Sequence, residues 1–488
     1  MHKLALAVLL CFSFACEKKI QGKQLASGIA RRLTVERGTA LFLLNAVHPD
    51  DPLVPQDLVL GDLWVAPSDG PARKVGTGVP SPAGTYAFNA KGDMIAFLAN
   101  FRFRDGIGEL WYANVHEGEG VPVAREVRDF GWSKLGALAY VAPNTVGLHR
   151  TYELKLIGVQ TITWSPDGRF IAARASSASG GKLWIIDAVH AGAKVVAEAT
   201  SDFAFAPDGT LAALGPSGPK GGDRALLIDG KEIAQATSFK FSPDSKQIAL
   251  LSTARQPGES TGDLYRVPRA GGTPTLIANK VSEWRWSPSG ELLCLGHYDL
   301  RARAGTLTVA TDAGTREIAP KVQAFTAFGH RLLYLVQAPQ KGDYKIELWL
   351  ADLSTSAPPR KIDEGVYGWD VTGDTLLYKA RCAGGPRACS LLRVPLSKEE
   401  KPEMVAADIA GFDLSADGSR VLVQMPHHGA TKAVDLAVMP VGNVQKDRLK
   451  PSIEDVDPSA HFLDDAGKKV VYATLAEGKQ GVYVADVP

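Results

Sequence analysis

The residues able to do chemistry in this 488-residue chain are few and scattered. "GESTG" at 258–262 fits Gly-x-Ser-x-Gly, the nucleophile elbow of many serine hydrolases. An elbow needs a strand before the serine, a helix behind it, and a histidine and an acid further on. Ser260 instead stands in the polar stretch "ARQPGESTGDLY" with a strand-like run behind it, so it reads as a loop residue. His427 and His428 in "MPHHGATK" are adjacent. On an extended segment they point to opposite sides and do not share one ion. No H-E-x-x-H, C-x-x-C or EF-hand loop accompanies them. "GPSGPKGGD" (215–223) is glycine-rich but lacks the G-K-[ST] order of a phosphate loop. Arginines meet aromatics in "NFRFRDG" (100–106) and "YDLRARAG" (298–305). Both read as long solvated loops, and loops on a rigid scaffold are also where binding residues gather. No catalytic, metal-binding or cofactor-binding set emerges, and no cofactor is expected.

Four aspartates recur in one context. "WSPDGRFIAA" (164–173) returns as "FAPDGTLAAL" (205–214), "FSPDSKQIAL" (241–250), "WSPSGELLCL" (286–295) and "LSADGSRVLV" (414–423). Asp167, Asp208, Asp244 and Asp417 each supply one carboxylate per copy, too few for a calcium ion that takes six or more oxygens. They read instead as turn residues. Proline presets φ, aspartate bonds its own backbone, and Gly168, Gly209 and Gly418 accept positive φ. The Trp or Phe before each turn is expected to pack between neighbouring units.

Such a turn joins two short runs of alternating apolar residues into a hairpin. A variable polar stretch follows, then two more strand-like runs, as in "LWIIDA" and "AKVVAEA" after Trp164. "GDLWVAPSDGPARKVG" (61–76), "GDLYRVPRAGGTPTLIA" (262–278) and "IELWLADLSTSAPPRKI" (346–362) repeat that second half. About eleven first halves lie mostly 36 to 49 residues apart, with a short interval from Trp132 to Trp164. Four strands at that period are the signature of β-propeller blades, which bury their two faces against neighbours around an axis. The expected fold class is therefore all-β, built from about eleven four-stranded blades. Because propellers usually have four to eight blades, two propellers are expected. The first would span 29–237 with about five blades and the second 238–488 with about six. The last unit, ending "GVYVADVP", lacks a fourth strand, and Ile29–Val35 reads as a strand without a blade. Closure by pairing of the two terminal regions is expected.

Charge excludes one class of partner. Lys and Arg number 54 against 53 Asp and Glu, so no basic excess draws in nucleic acid. The first residues are set apart. His2 and Lys3 precede an apolar run from Leu4 to Ala15, too short for a comfortable bilayer span. That makes 1–15 a signal peptide, and the polar residues 16–28 a tether. Ser13, Phe14 and Ala15 before Cys16 resemble a bacterial lipoprotein signal, which implies lipidation of Cys16 and a lipid-anchored protein of the cell envelope, facing the periplasm or at the outer-membrane surface. In an exported protein Cys382 and Cys389, flanking a Gly-Gly-Pro turn in "ARCAGGPRACSLL", are expected to form a disulfide. Cys294 in "ELLCLG" is expected to be an inert buried thiol.

"WSPDGRFIAA", "FSPDSKQIAL" and "GDLYRVPRAGGTPTLIA" resemble the WD40-like repeat of the TolB family of envelope propellers; related blades occur in prolyl-oligopeptidase-type enzymes. The resemblance implies a periplasmic propeller serving protein contacts. This chain has about twice as many repeats and shows no α/β pattern ahead of them. Two functions follow as expectations. The first is a non-enzymatic envelope lipoprotein whose propeller binds a protein, peptide or glycan. The alternative is an envelope hydrolase or lyase with a site assembled from loops at the propeller mouth.

Overall fold

The computed structural model describes residues 20, 22–81, 84–176, 180–216, 222–253, 260–340, 343–382, 388–427, 433–443, 449–474, 476 and 478–487. Among them are strands and turns and no helix. The quoted repeat folds as its alternation dictates. Val159–Trp164 pairs antiparallel with Phe170–Ala175, Trp164 lying opposite Ile171, and the turn bridges them. Gly181–Asp187 and then Gly192–Thr200 complete a four-stranded sheet. Its second strand is the most buried, with Ile171, Ala172 and Ala173 at 1% exposure or less, because both faces meet other blades. Its last strand is largely exposed and forms the rim.

Eleven such blades follow one another, at 31–80, 86–127, 129–155, 159–200, 202–236, 238–281, 283–322, 322–364, 368–409, 411–456 and 461–486. The third is the shortest of the blades built from one continuous segment, which explains the brief interval before Trp164. Blades 7 and 8 share the long strand Gly314–Phe328, which pairs with Ala304–Thr311 on one side and Arg331–Gln340 on the other. The third strand of several blades opens on a glycine for a steric reason. A Cβ on Gly108 would come within 2.9 Å of the Ala99 carbonyl oxygen, and one on Gly262 within 2.6 Å of that of Ser252.

The packing corrects the expected division into two propellers at 237/238. A five-bladed ring would seat blade 5 against blade 1. Instead Leu214 and Leu226 of blade 5 pack on Ile248 and Leu250 of blade 6, across the expected boundary. Both faces of blade 1 are already taken. Leu43 and Leu63 meet Phe97 of blade 2, while Phe42 and Leu44 meet Val471 and Val482 of blade 11. Core clusters join each remaining successive pair in the same way. The blades thus form one closed ring.

Closure also falls on different residues from those expected. The strand Lys23–Ser27, within the stretch expected to be a tether, pairs with Gly481–Asp486 and is the fourth strand of blade 11. Ala26 is buried in the seam with Leu44 and Val482, and that burial fixes the strand in place. Arg31–Glu36, expected as the spare strand, is the first strand of blade 1. Residues 1–19, with the expected signal peptide and Cys16, lie outside the described residues.

Candidate functional site

Antiparallel order puts the loops of a blade on two opposite faces of the ring. Turns between first and second strands, and between third and fourth, lie on one face. Loops between second and third strands lie on the other, with the crossings to the next blade. The expected turn residues all belong to the first face, each in its own blade. Gly168 and Gly209 have φ of 75° and 90°, values that favour glycine; Gly418 is likewise positive. Asp167 Oδ1 accepts the Ser165 hydroxyl at 2.6 Å and the Arg169 amide at 3.1 Å. Asp244 and Asp417 repeat this with Ser242 and Ser415, at 2.7 and 2.8 Å. Asp208 is held by Arg269 of the next blade. No two of these carboxylates share a site.

The structure adds the serine that reasoning from turn chemistry passed over. Ser165, Ser242 and Ser415 are buried. Each also accepts a backbone amide from the start of the second strand, from Phe170, Gln247 and Arg420 at 2.9 to 3.0 Å. The signal was present in the repeated Ser of "WSPDG". Its burial was not.

The opposite face carries the longer loops. In blade 1, residues 48–59 fold back on themselves. His48 Nε2 donates to the carbonyls of Val54 and Pro55, both at 3.2 Å, and Val54 is buried. Arg104, from one of the two expected Arg/aromatic loops, grips Asp51 with Nε and Nη2 and ties blade 2 to this loop. Phe101 and Phe103 stack edge to face beside it. In the other such loop Asp299 caps the amides of Arg301 and Ala302, and Gln337 of blade 8 donates to the Ala302 carbonyl at 2.8 Å. Both loops therefore lie on one face and are held by neighbouring blades.

Three further readings fall on this face. Ser260 is exposed, and the strand Gly262–Pro268 follows it, without a helix. His427 pairs with buried Asp435 at 2.7 Å, and that hydrogen bond raises the imidazole above its ordinary pKa. His428 lies outside the described residues. Cys382 and Cys389 are joined by a disulfide at the start of the third strand of blade 9, as expected. Among the described residues no group of three or more His, Cys, Asp or Glu is placed to hold a metal ion.

A cavity of about 520 Å3 opens at the seam of the ring, on the face of the long loops. Arg31, Arg32, His48, Asp57, Asp457 and Ser459 line it. Arg32 has φ of 56° at a bulge in its strand, and bulges re-aim side chains. Its guanidinium approaches Asp57 at 3.8 Å, an exposed pair worth little by itself. The seam therefore offers polar and charged groups prearranged by an ordered loop.

No family model and no curated protein matches the sequence. Among solved structures, the chain is similar to a eukaryotic initiation factor, at 13% identity over 71% of this chain and 91% of that one, with a TM-score of 0.43. It is similar to the tricorn protease at 12% identity, over 81% of this chain and 49% of that one, with a TM-score of 0.32. The β-propeller domain of Cps50 (Swd1) from Myceliophteria thermophila matches at 13% identity, over 54% of this chain and 95% of the domain, with a TM-score of 0.30.

Proposed function

We propose that this chain is a non-enzymatic scaffold of the bacterial cell envelope, anchored by lipid on Cys16, whose ring presents a loop face to a protein, peptide or glycan partner. One observation carries the reading. The long loops are collected on one face and tied to one another across blades, as Arg104 is to Asp51 and Gln337 to Ala302. A surface ordered before binding loses less entropy when a partner docks. The apolar run ending at Cys16 supports export and anchoring. The TolB-like repeats support an envelope setting and contacts with other macromolecules.

Photo-crosslinking in intact cells tests this. A crosslinking amino acid is placed in the full-length protein at Gln56, Ser260 or Arg301 on the loop face, and at Leu135 or Val189 on the turn face. Discrete crosslinked products are expected from the first set only. Equal yields from both faces, or none from either, reject the reading.

A further inference from the structure

The first strands of the blades surround the ring axis. They are half-buried where the rim strands are exposed. Their tryptophans also bond to one another's strands. Trp132 donates its indole N–H to the Ala87 carbonyl at 3.0 Å, Trp164 to Gly131 at 2.9 Å and Trp286 to Lys240 at 3.2 Å, each reaching the preceding blade. Packed sheets lie about 10 Å apart, so eleven blades make a ring roughly 35 Å across at mid-blade, and with strands about 4.8 Å apart the first strands enclose a bore roughly 20 Å across between opposing backbones.

One gap in the wall of this bore differs from the rest. Between blades 8 and 9 a cavity of about 510 Å3 is lined by Thr326, Phe328, Gly368, Trp369, Asp370 and Val371. That volume lies in the range of small-ligand sites. Every one of these residues belongs to an inner strand. Trp369 is half-buried, yet unlike Trp132, Trp164 and Trp286 it finds no acceptor for its indole N–H among the described residues. Asp370 stands on the opposite face of its strand, across from Leu377 of the blade 9–10 core, whereas Trp369 and Val371 lie across from Tyr378 and Leu376 of the blade 8–9 core. Thr326 is exposed, and its hydroxyl has no partner among the described residues.

We infer that this cavity holds a sugar ring of an envelope glycan strand lying in the bore. A pyranose offers a face of C–H groups and a rim of hydroxyls. The C–H face suits the negative faces of Trp369 and Phe328. The Trp369 indole N–H and the Thr326 hydroxyl bond its rim oxygens. No cation lines the cavity, so an anionic group would find no counter-charge there. An apolar peptide side chain would leave the indole N–H and the Thr326 hydroxyl without a partner. The inference rests on the scaffold reading and adds a glycan contact in the bore to the partner contact at the loop face.

The test uses the full-length protein in a detergent without sugar headgroups. The probes are tetrasaccharides of β-1,4-linked N-acetylglucosamine, of cellulose and of maltose, followed by calorimetry and tryptophan fluorescence. Saturable binding of at least one is expected. Trp369→Ala should weaken it about tenfold or more, the factor that about 1.4 kcal/mol produces. Trp369→Phe should weaken it less, and Trp286→Phe should leave it unchanged. If Trp369→Ala does not fold, Trp369→Phe and Thr326→Val carry the comparison. Binding by none of the sugars overturns the inference, as does equal affinity in the Trp369 variants or an equal loss in Trp286→Phe. A Trp369-dependent response to a random octapeptide pool, with none to sugars, overturns it in favour of a peptide. Failure here with loop-face crosslinks intact leaves the scaffold reading standing; loss of both removes both.

Discussion

Trp164 of blade 4 donates its indole N–H to the Gly131 carbonyl of blade 3 at 2.9 Å, so one inner strand is fastened to the next by a side chain rather than by sheet pairing. Removing only that bond should show its size. Trp164→Phe keeps most of the ring packing and should cost about 0.5–1.5 kcal/mol, with a further cost if the Gly131 carbonyl is left dry. Urea unfolding midpoints measure it. A Trp164→Phe midpoint equal to wild type would mean that the bond does not fasten the ring.

The turns should fail in a graded order. Gly168→Val and Gly209→Val both force a β-branched residue to positive φ, at a cost of about 1–3 kcal/mol. A Cβ at 168 also meets Leu135 Cγ at 3.2 Å, whereas at 209 it meets nothing within 4 Å. Gly168→Val should therefore melt lower than Gly209→Val. Ser165→Ala leaves the Phe170 amide without its buried acceptor and should cost about 1–3 kcal/mol. The reverse order of the two valine variants would contradict the steric argument.

Acid should loosen the turn face first. Asp167 and Asp244 are held below the usual carboxylate pKa of 3.8, chiefly by the Ser165 and Ser242 hydroxyls. Asp417 is held low by the Ser419 amide and then by Ser415. A depressed folded pKa means that the contribution is present above the unfolded value and is lost as pH falls through the folded one. Stability should thus decline below about pH 4, and Asp→Asn at these three positions should flatten the decline. A wild-type acid limb that the triple variant reproduces unchanged would refute the assignment.

The seam should be the place where the ring opens. Ala26→Pro, at a residue of the strand Lys23–Ser27 that pairs with Val482, breaks the pairing with Gly481–Asp486. Hydrogen exchange should accelerate in 469–486 before it does elsewhere, and the bared edge should promote self-association. Unchanged exchange there would show that the closing strand is dispensable.

The cysteines make a chemical prediction. Burial pushes the Cys294 thiol up to about 12, so it should resist alkylation in the native protein and react after denaturation. Non-reducing peptide mapping should recover Cys382 linked to Cys389. Reducing that short loop should cost roughly 2–3 kcal/mol at most. Native labelling of Cys294 as fast as a free thiol would contradict its burial.

The sequence by itself determined the unit and the number of units. "WSPDG" and its relatives specify a hairpin through turn chemistry, and apolar alternation specifies the strands; both act over a few residues and survive in a single sequence. What only the tertiary structure decided depends on which surfaces meet across long separations. "KQLAS" (23–27) has no strong alternation, yet it completes blade 11 because the open edge of Gly481–Asp486 accepts it and the seam buries Ala26. Trp164 and Trp369 look alike in sequence, but only one finds a carbonyl in the blade before it. One ring rather than two follows from both faces of every blade being occupied by its neighbours in the chain, with blade 11 against blade 1. Strand propensity and turn chemistry are local energies. Ring closure is set by the wedge between packed faces, summed over eleven interfaces.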